Sequence, residues 1–328
     1  MELNGIFCDG AVFQANKPIY VFGKGDGTVK IEFLGRVYEG MSRDGKWEIE
    51  IAPAAYADNL EMKVTLGKET RVIKNISVGE VVLVAGQSNM QFRLEAEKPQ
   101  ENHSDDERLR FFAVDRIEFD AGCLKERDGW RAATGENTLK HSAVGYHLGV
   151  EMRKKYGVTV GIVECYQGAS IIQSWMSKAV ADKFDELVPL SDRHLDSVNG
   201  EYSTWNKNGK LHDEMFLHIV PYSFSCVVWY QGESNTAVKE GRIYDKMLSS
   251  MIDEWRTELK DNELPFIVVV ICDLEYRSDD GWKNVQNAQR RMTGYKNVRV
   301  VESYDVCEHT DIHPSDKRAL SKRIFENL

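Results

Sequence analysis

The chain has 328 residues, of which 42% are hydrophobic, and a formal net charge of −10. This length suits one large domain or a medium domain with a small one, and we expect two. The acidic balance, without a stripe rich in Lys and Arg, argues against a nucleic-acid partner. No stretch approaches the ~20 apolar residues that span a bilayer, so we expect no membrane insertion.

Short alternating segments fill the first 77 residues. Segments such as PIYVFG, TVKIEFLG and KWEIEIA are separated by the turn sequences Gly25-Asp26-Gly27 and Arg43-Asp44-Gly45. Alternation of apolar and polar residues between Asp-Gly turns is typical of β-hairpins. We therefore predict a small antiparallel β-sandwich domain over residues 1–77.

Apolar runs separated by longer amphipathic stretches follow over residues 78–328. Alternating strands and helices indicate βαβ units, whose crossovers cover both faces of a sheet. The predicted fold class is α/β, a three-layer α/β/α sandwich around a five-stranded parallel sheet. Residues 189–209 lack a clear period and are predicted to form a long loop near the site. The predicted strands are Val81–Ala85, Thr159–Cys165, Ser225–Tyr230, Phe266–Cys272 and Val298–Glu302, and the predicted helices include His141–Tyr156 and Tyr244–Leu259.

The cysteines and the N-terminus bear on the cellular compartment. None of the six cysteines forms a Cys-x-x-Cys pair, and several lie in apolar runs, which suits free thiols in a core. The N-terminal sequence MELNGIFCDG lacks a basic segment followed by an apolar one, so we expect no secretory signal and a cytoplasmic enzyme. The cysteines are Cys8, Cys123, Cys165, Cys226, Cys272 and Cys307.

The stretch VVLVAGQSNM, from Val81 to Met90, combines a buried strand with a polar turn. The apolar run stops at Gly86, and Ser88 follows two positions later. Strand ends in α/β sheets commonly carry the chemistry. A serine there can project its hydroxyl into a crevice, with its own backbone N–H free to bind an anion. An ordinary strand-to-helix turn is the alternative, so this block predicts a nucleophile only together with others.

Two further blocks follow predicted strands. Gly168 comes after the strand that ends near Cys165, where a glycine permits a tight turn with an exposed backbone N–H, although ordinary turn chemistry also explains it. The block from Gln231 to Asn235 directly follows the apolar segment VVWY. A solvated loop rarely needs Gln, Glu and Asn together, and the side-chain amide of Asn235 offers a second anion donor.

The fourth block runs from His309 to Pro314, near the C-terminus. Histidine is suited to act as a general base near neutral pH, which makes His313 the candidate. Asp311 lies two residues earlier, on the same side of an extended segment, where it would fix the imidazole tautomer. A helical metal pair of His309 and His313 is the alternative. Pro314 argues against that pair, because the residue before a proline is disfavoured in the α region.

Together the four blocks resemble the SGNH hydrolases. GQSNM with WYQGESN and DIHP is most similar to the branch that contains sialate O-acetylesterases and acetylxylan esterases. The upstream segment CDGAVFQANKPIYVFGKG, followed by DGKW, is similar to the sandwich that precedes the catalytic domain in bacterial members. The resemblance implies that Ser88 is the nucleophile and His313 the base. It also implies an oxyanion hole formed by the backbone N–H of Ser88, Gly168 and Asn235.

The acid that orients the histidine departs from the family pattern. Many members place it three residues before the histidine, where this chain has Thr310. We predict Asp311 as the third member of a triad. Glu308, Glu233 or a backbone carbonyl are the alternatives, and with the carbonyl the site would be a dyad.

The resemblance implies a serine esterase that removes O-acetyl groups from sugars, first of all from O-acetylated sialic acid. Acetylxylan or another acetylated polysaccharide is the alternative substrate, and a catalytically silent carbohydrate-binding protein is the alternative of another class. No cofactor and no metal are expected, because hydrogen bonds alone can activate an acyl ester. The expected partner is the acetylated carbohydrate, and the oligomeric state is left open.

Five more side chains are candidates for bracing or lining the site. Gln87, Gln231 and Glu233 are expected to brace it by hydrogen bonds, although Glu233 could instead cap a backbone group. Trp175 is placed to stack on a sugar face, with a core position as its alternative. Arg93 is placed to meet a carboxylate, with an ordinary surface charge as its alternative.

Overall fold

The computed structural model describes residues 1–100, 103–117, 129–188, 197–198, 201–202, 205–277 and 279–328. Two features singled out in the sequence, Cys123 and most of the loop over 189–209, lie outside the described residues. Within the described part of the chain, no helix is long and apolar enough to cross a membrane. The described cysteines are free thiols, namely Cys8, Cys165, Cys226, Cys272 and Cys307.

Eight strands occupy the first 86 residues. Alternate residues are buried in the segments TVKIEF and KWEIEI, as Trp47, Ile49 and Ile51 show, because one face of each sheet packs on the core. One sheet contains β1, β3 and β6, and antiparallel ladders join β5, β4, β7 and β8 in the other, as the predicted sandwich requires. The strands are β1 (Glu2–Leu3), β2 (Val12–Gln14), β3 (Ile19–Lys24), β4 (Thr28–Phe33), β5 (Arg36–Met41), β6 (Lys46–Ile51), β7 (Ala57–Leu66) and β8 (Glu69–Gly86).

Most of the remaining strands build a mainly parallel sheet on the C-terminal half of β8. Its order is β10-β9-β11-β8-β14-β15-β16, and every neighbouring pair is parallel except β10 with β9. The strands are β9 (Asp106–Ala113), β10 (Arg131–Ala133), β11 (Val160–Tyr166), β12 (Ser197–Val198), β13 (Glu201–Tyr202), β14 (Cys226–Tyr230), β15 (Phe266–Val269) and β16 (Val298–Val301). The short strands β12 and β13 pair only with each other.

The prediction of five parallel strands is wrong by one strand. All five predicted runs form strands, but β9 adds a sixth parallel member beside β11. Its sequence, DERLRFFA, carries charges at positions where a buried strand is usually apolar. Arg110 is nevertheless buried, because its guanidinium donates to the backbone carbonyls of Gly10 and Asn75. Tertiary hydrogen bonds of this kind are invisible in a sequence pattern.

Helices cover the sheet. The two predicted helices are present, and the first begins at the predicted region with Ser142 as its N-cap, whose side chain accepts from the Gly145 N–H. The helices are α1 (Ser88–Gln91), α2 (Ala143–Tyr156), α3 (Lys178–Ala181), α4 (Lys210–Glu214), α5 (Val238–Arg242), α6 (Tyr244–Glu258), α7 (Asp280–Arg291) and α8 (Arg318–Glu326).

Successive residues of β8 point into two different cores. Val82 and Val84 join the apolar cluster that contains residues of α2 and α8. Leu83 and Ala85 join the cluster that contains residues of α6, α7 and the N-terminal strands. Because side chains alternate across a strand, both faces of the parallel sheet are buried under helices.

The strand β8 also connects the two parts of the chain. Its pairing with β7 extends to Val78, and its pairing with β11 starts at Glu80. The domain boundary predicted at residue 77 therefore falls inside an unbroken strand. The same strand delivers its last residue, Gly86, to the carboxyl edge of the parallel sheet.

Candidate active site

The turn after β8 requires a glycine. Gly86 has a φ of +143°, and a Cβ atom at this position would lie 2.0 Å from the carbonyl oxygen of Tyr230 at the end of β14. The next residue, Gln87, donates its backbone N–H to that same carbonyl at 3.0 Å. The close approach of the two strand ends leaves Ser88, the first residue of α1, half-buried at the sheet edge.

Ser88 and His313 are in direct contact. The distance from His313 Nε2 to Ser88 Oγ is 2.8 Å, although the two residues are 225 positions apart in the chain. Burial lowers the pKa of His313, the positive charge of Lys317 lowers it further, and the carboxylate of Asp311 opposes both. The imidazole is therefore neutral at neutral pH, which is the form that accepts the serine proton.

Asp311 contacts His313 through the backbone. Its Oδ1 accepts a hydrogen bond from the main-chain N–H of His313 at 2.8 Å. The alternative acids are engaged elsewhere, since Glu308 accepts from the Ser315 N–H and Glu233 from the Asn89 side chain. None of the residues that the structure describes forms a hydrogen bond with His313 Nδ1, so the geometry is that of a Ser–His dyad.

The side chain of Asn89, next to the nucleophile, holds the histidine segment in place. Its Nδ2 donates to the carbonyl of Ile312 at 2.9 Å and to Glu233 Oε1 at 2.6 Å. Its Oδ1 accepts from Lys317 Nζ at 2.7 Å. Asn89 thus fixes the residue before His313 relative to Ser88. We assigned no role to Asn89 from the sequence, although its place in the GQSNM block was the available signal.

Lys317 is a fully buried lysine beside the dyad. Burial lowers the pKa of its ammonium group to about 8. The group lies 5.0 Å from the ring centroid of Phe92 and 5.7 Å from that of Tyr230, and its backbone N–H donates to Glu97 Oε1. Nothing in the polar C-terminal sequence distinguishes Lys317 from a surface lysine, so sequence reasoning missed it.

The backbone N–H of Gly168 points to the side chain of Gln91. It donates to Gln91 Oε1 at 2.8 Å. A Cβ atom on Gly168 would lie 3.7 Å from Ser88 Cβ, so Gly168 lies against Ser88, but its N–H, the predicted oxyanion donor, is already bonded to Gln91. The carbonyl of the next residue, Ala169, accepts a hydrogen bond from Asn206 Nδ2. Asn206 lies near the end of the predicted long loop, so this bond stabilises the turn at Gly168.

The structure does not bring Asn235 to an oxyanion position. Its two amide hydrogens are donated to Gln173 Oε1 at 2.9 Å and to Glu240 Oε1 at 2.8 Å. Its Oδ1 accepts from the Ile172 N–H and from Gln231 Nε2. With four hydrogen bonds the amide is saturated. The predicted donor role is therefore not supported. Asn235 instead links the block from Gln231 to Asn235, by hydrogen bonds, to the segment that follows β11.

Gln87 and Gln231 brace the site as predicted. Gln87 Oε1 accepts from Gln231 Nε2 at 3.1 Å and from the backbone N–H of Gly232 at 3.2 Å. Gln231 Nε2 also donates to the carbonyl of Ser170 at 2.9 Å. These buried amides link the ends of β8, β11 and β14 in one network, and Glu233 extends it to Asn89. A connected network of buried hydrogen bonds of this kind restricts the geometry of the strand ends.

Two candidate substrate contacts have other surroundings. Trp175 is fully buried among Trp229 and Trp255, and its Nε1 donates to Ser170 Oγ, so its assignment to the cleft is wrong. Trp175 ends a short 3-10 helix and its indole faces the core, an orientation that the periodicity of apolar residues in the sequence does not indicate. Arg93 forms an ion pair with Glu95 at 3.1 Å, which is the geometry of a surface charge.

The two histidines of the fourth block have separate partners. His309 Nε2 contacts the carbonyl of Tyr304 at 2.7 Å, while His313 contacts Ser88. Within the described part of the chain, the carboxylate and imidazole group that could hold a metal ion consists of His212, Glu254 and Glu258. Burial would lower the pKa of His212, but its hydrogen bonds to Glu258 and Asp213 outweigh this and raise it, so the imidazole already has carboxylate partners within this cluster.

Comparison with known proteins shows the family of this chain. The family described as carbohydrate esterase, sialic acid-specific acetylesterase, matches residues 78–326. The chain belongs to this family. The match of the sialic acid-specific acetylesterase family begins at Val78 within β8 and includes every residue of the site. No curated protein sequence matches the chain.

One solved structure is similar over nearly the whole chain, including the N-terminal strands. A carbohydrate acetylesterase from Xanthomonas citri superposes with a TM-score of 0.83 and 26% identity, over 98% of this chain and 73% of that chain. A protein from Arabidopsis thaliana gives a TM-score of 0.48 and 15% identity, over 76% and 97% of the two chains. NanS gives a TM-score of 0.47 and 13% identity, over 76% and 95%.

Proposed function

We propose that this member of the family is a serine esterase that hydrolyses O-acetyl esters of carbohydrates. The contact of 2.8 Å between His313 Nε2 and Ser88 Oγ carries the proposal. A nucleophile and a base within hydrogen-bond reach are what acyl transfer requires. A carbohydrate-binding protein without activity has no need to place a neutral imidazole on a serine hydroxyl.

In the first half of the reaction, Ser88 Oγ attacks the acetyl carbonyl carbon while His313 Nε2 takes the hydroxyl proton. The carbonyl electrons move to the oxygen, which becomes the oxyanion of a tetrahedral intermediate. When this intermediate collapses, the bond to the sugar oxygen breaks, and the imidazolium returns the proton to that oxygen. The deacetylated sugar leaves, and Ser88 carries the acetyl group.

In the second half, water replaces the sugar. His313 accepts a proton from water as its oxygen attacks the acetyl-serine, and a second tetrahedral oxyanion forms. Collapse breaks the bond to Ser88 Oγ, which recovers its proton from His313, and acetate is released. Two acyl-transfer steps with the same base account for the reaction using residues of this chain alone.

The substrate we propose first is O-acetylated sialic acid, because the matching family is described by that specificity. The Xanthomonas citri protein, which matches nearly the whole chain, is described as a carbohydrate acetylesterase. An acetylated neutral polysaccharide such as acetylxylan is therefore the second candidate substrate, and its rate of hydrolysis is to be compared with that of O-acetylated sialic acid. Both substrates present the same acetyl ester to Ser88 and differ only in the surrounding sugar.

The test is acetate release from p-nitrophenyl acetate, O-acetylated sialic acid and acetylated xylan by the wild type and by Ser88→Ala. We expect the wild type to release acetate and Ser88→Ala to lose turnover by about 10⁴-fold or more, with an unchanged circular dichroism spectrum. Absence of turnover in the wild type, or retained turnover in Ser88→Ala, would overturn the proposal. Faster release from xylan than from sialic acid would keep the esterase and reject the first substrate.

A further inference from the structure

The oxyanion hole of the proposed esterase lacks its expected side-chain donor. Asn235 uses both amide hydrogens inside the fold. The neighbouring amide of Gln231 is also occupied, since Nε2 donates to Gln87, Asn235 and the carbonyl of Ser170. Both side chains are fully buried. A donor to the acetyl oxygen must come from another group close to Ser88.

Gln91 is the side chain that meets this requirement. It lies three residues after Ser88 in α1, and residues three apart on a helix share a face. Its Oε1 accepts from the Gly168 backbone N–H at 2.8 Å, and Gly168 itself lies against Ser88. Within the described part of the chain, Gln91 Nε2 has no hydrogen-bond partner, and the side chain is half-buried, so the amide hydrogens remain available.

We propose that Gln91 Nε2 is the side-chain donor that stabilises the oxyanion, and that Gly168 acts by orienting the Gln91 amide. The proposal rests on the proposed esterase function. It changes the role predicted for Gly168 from a direct donor to a positioning residue. The direct donors are then the backbone N–H of Ser88 and the amide of Gln91.

The hydrogen bond from Gly168 has two effects on Gln91. It fixes which end of the planar amide is oxygen and which is nitrogen, so Nε2 cannot exchange places with Oε1. It also polarises the amide, because a group that accepts a hydrogen bond at oxygen becomes a better donor at nitrogen. A preoriented donor needs no rearrangement when charge develops in the transition state.

The same contact permits an opposite interpretation, in which Gln91 covers the Gly168 N–H in the free enzyme and the substrate must displace it. The two interpretations predict opposite results for Gln91→Ala. If Gln91 donates to the oxyanion, removing the amide lowers kcat. If Gln91 only covers the Gly168 N–H, removing it leaves kcat unchanged or raises it.

The experiment measures kcat and KM for p-nitrophenyl acetate with three variants. Gln91→Met keeps the side-chain length without the amide, Gln91→Glu keeps the acceptor for Gly168 without the donor, and Gln91→Ala removes both. We expect kcat to fall about 10²–10³-fold in Gln91→Met, with KM within a few-fold and the acid limb of the pH profile unmoved. The kcat of Gln91→Glu is expected to fall at least as far, because a carboxylate repels the oxyanion.

Gln100→Met is the matched control, since Gln100 is an exposed glutamine of the same segment whose amide bonds the carbonyls of Leu94, Glu95 and Glu97. It is expected to keep kcat within a few-fold. A loss of less than tenfold in Gln91→Ala or Gln91→Met overturns the proposal, as does an equal loss in the control. Wild-type enzyme that fails to turn over, or Ser88→Ala that matches it, overturns the esterase function itself.

Discussion

The carboxylate of Asp311 is bonded to the backbone N–H of His313 at 2.8 Å, while the imidazole of His313 reaches Ser88 at its other end. A triad acid holds the histidine by bonding its Nδ1–H and stabilises the imidazolium that forms. Asp311 instead fixes the main chain of the segment, in the manner of an Asx turn. Its charge is felt by the imidazole only at a distance.

Asp311→Asn is expected to retain kcat within about tenfold of the wild type, because an asparagine oxygen can still accept from the backbone N–H. Loss of a true triad acid costs about 10⁴-fold in the serine protease template. Asp311→Ala removes the acceptor altogether, and its kcat is expected to be lower than that of Asp311→Asn. A loss near 10⁴-fold in Asp311→Asn, measured by acetate release, would restore Asp311 to a triad.

The pH dependence of kcat/KM reports the charge state of His313. Activity requires the neutral imidazole, so it falls as the pH drops through the His313 pKa, which lies below the ordinary value of ~6.5. Lys317→Met removes a positive charge that lowers this pKa, so the acid limb of the pH profile of kcat/KM is expected to move to higher pH. Asp311→Asn removes a negative charge that raises it, so the limb is expected to move to lower pH.

Lys322→Met is the control for this pair of shifts, because Lys322 is an exposed lysine of α8, the helix that Lys317 immediately precedes. The acid limb of the kcat/KM profile of Lys322→Met is expected to coincide with that of the wild type. Shifts of the same sign in Lys317→Met and Asp311→Asn would contradict the electrostatic account.

Asn235→Ala is expected to act on stability. The substitution removes the hydrogen-bond partner of Gln173 Oε1 and of the Ile172 N–H, and one of the donors to Glu240 Oε1, and each unsatisfied buried group costs about 1–3 kcal/mol. Urea denaturation is expected to show a reduced free energy of unfolding, in contrast to Asn262→Ala at an exposed asparagine. An unchanged unfolding midpoint together with a 10²–10³-fold loss of kcat would return Asn235 to the oxyanion hole.

Trp175→Phe tests the core assignment of this tryptophan. The variant loses the hydrogen bond to Ser170 and part of the contact with Trp229 and Trp255. We expect a loss of about 1–3 kcal/mol in the free energy of unfolding and an unchanged KM for the sugar acetate. A raised KM at unchanged stability would place Trp175 in the substrate cleft after all.

Local sequence patterns were sufficient for the strands that are continuous apolar runs, whereas the pairing of Ser88 with His313 was expected only from the resemblance of the four blocks to a family. They failed at β9, where Arg110 is buried by tertiary hydrogen bonds to backbone carbonyls. They failed also at Asn235, because a side-chain amide near a strand end can face the crevice or the fold interior, and no period in the sequence decides between the two.

The residues that support the dyad were the hardest to foresee. Lys317 lies in a polar segment, yet it is fully buried, and its ammonium group donates a hydrogen bond to Asn89, which is far away in the chain. Gln91 shares the helix of the nucleophile, yet its relation to Gly168 depends on how two strand ends meet. Contacts between segments more than 70 residues apart are set by the sheet order, which local patterns do not specify.

The unbroken strand β8 has a consequence for which length changes the chain can accept. The strand is paired on both sides of Val78, and its successive residues Leu83 and Val84 enter different cores. Inserting or deleting one residue between Ile76 and Gly86 would invert every following side chain and rotate the nucleophile turn away from His313. A change of two residues preserves the alternation, so relatives that vary in length along this strand should do so in steps of two.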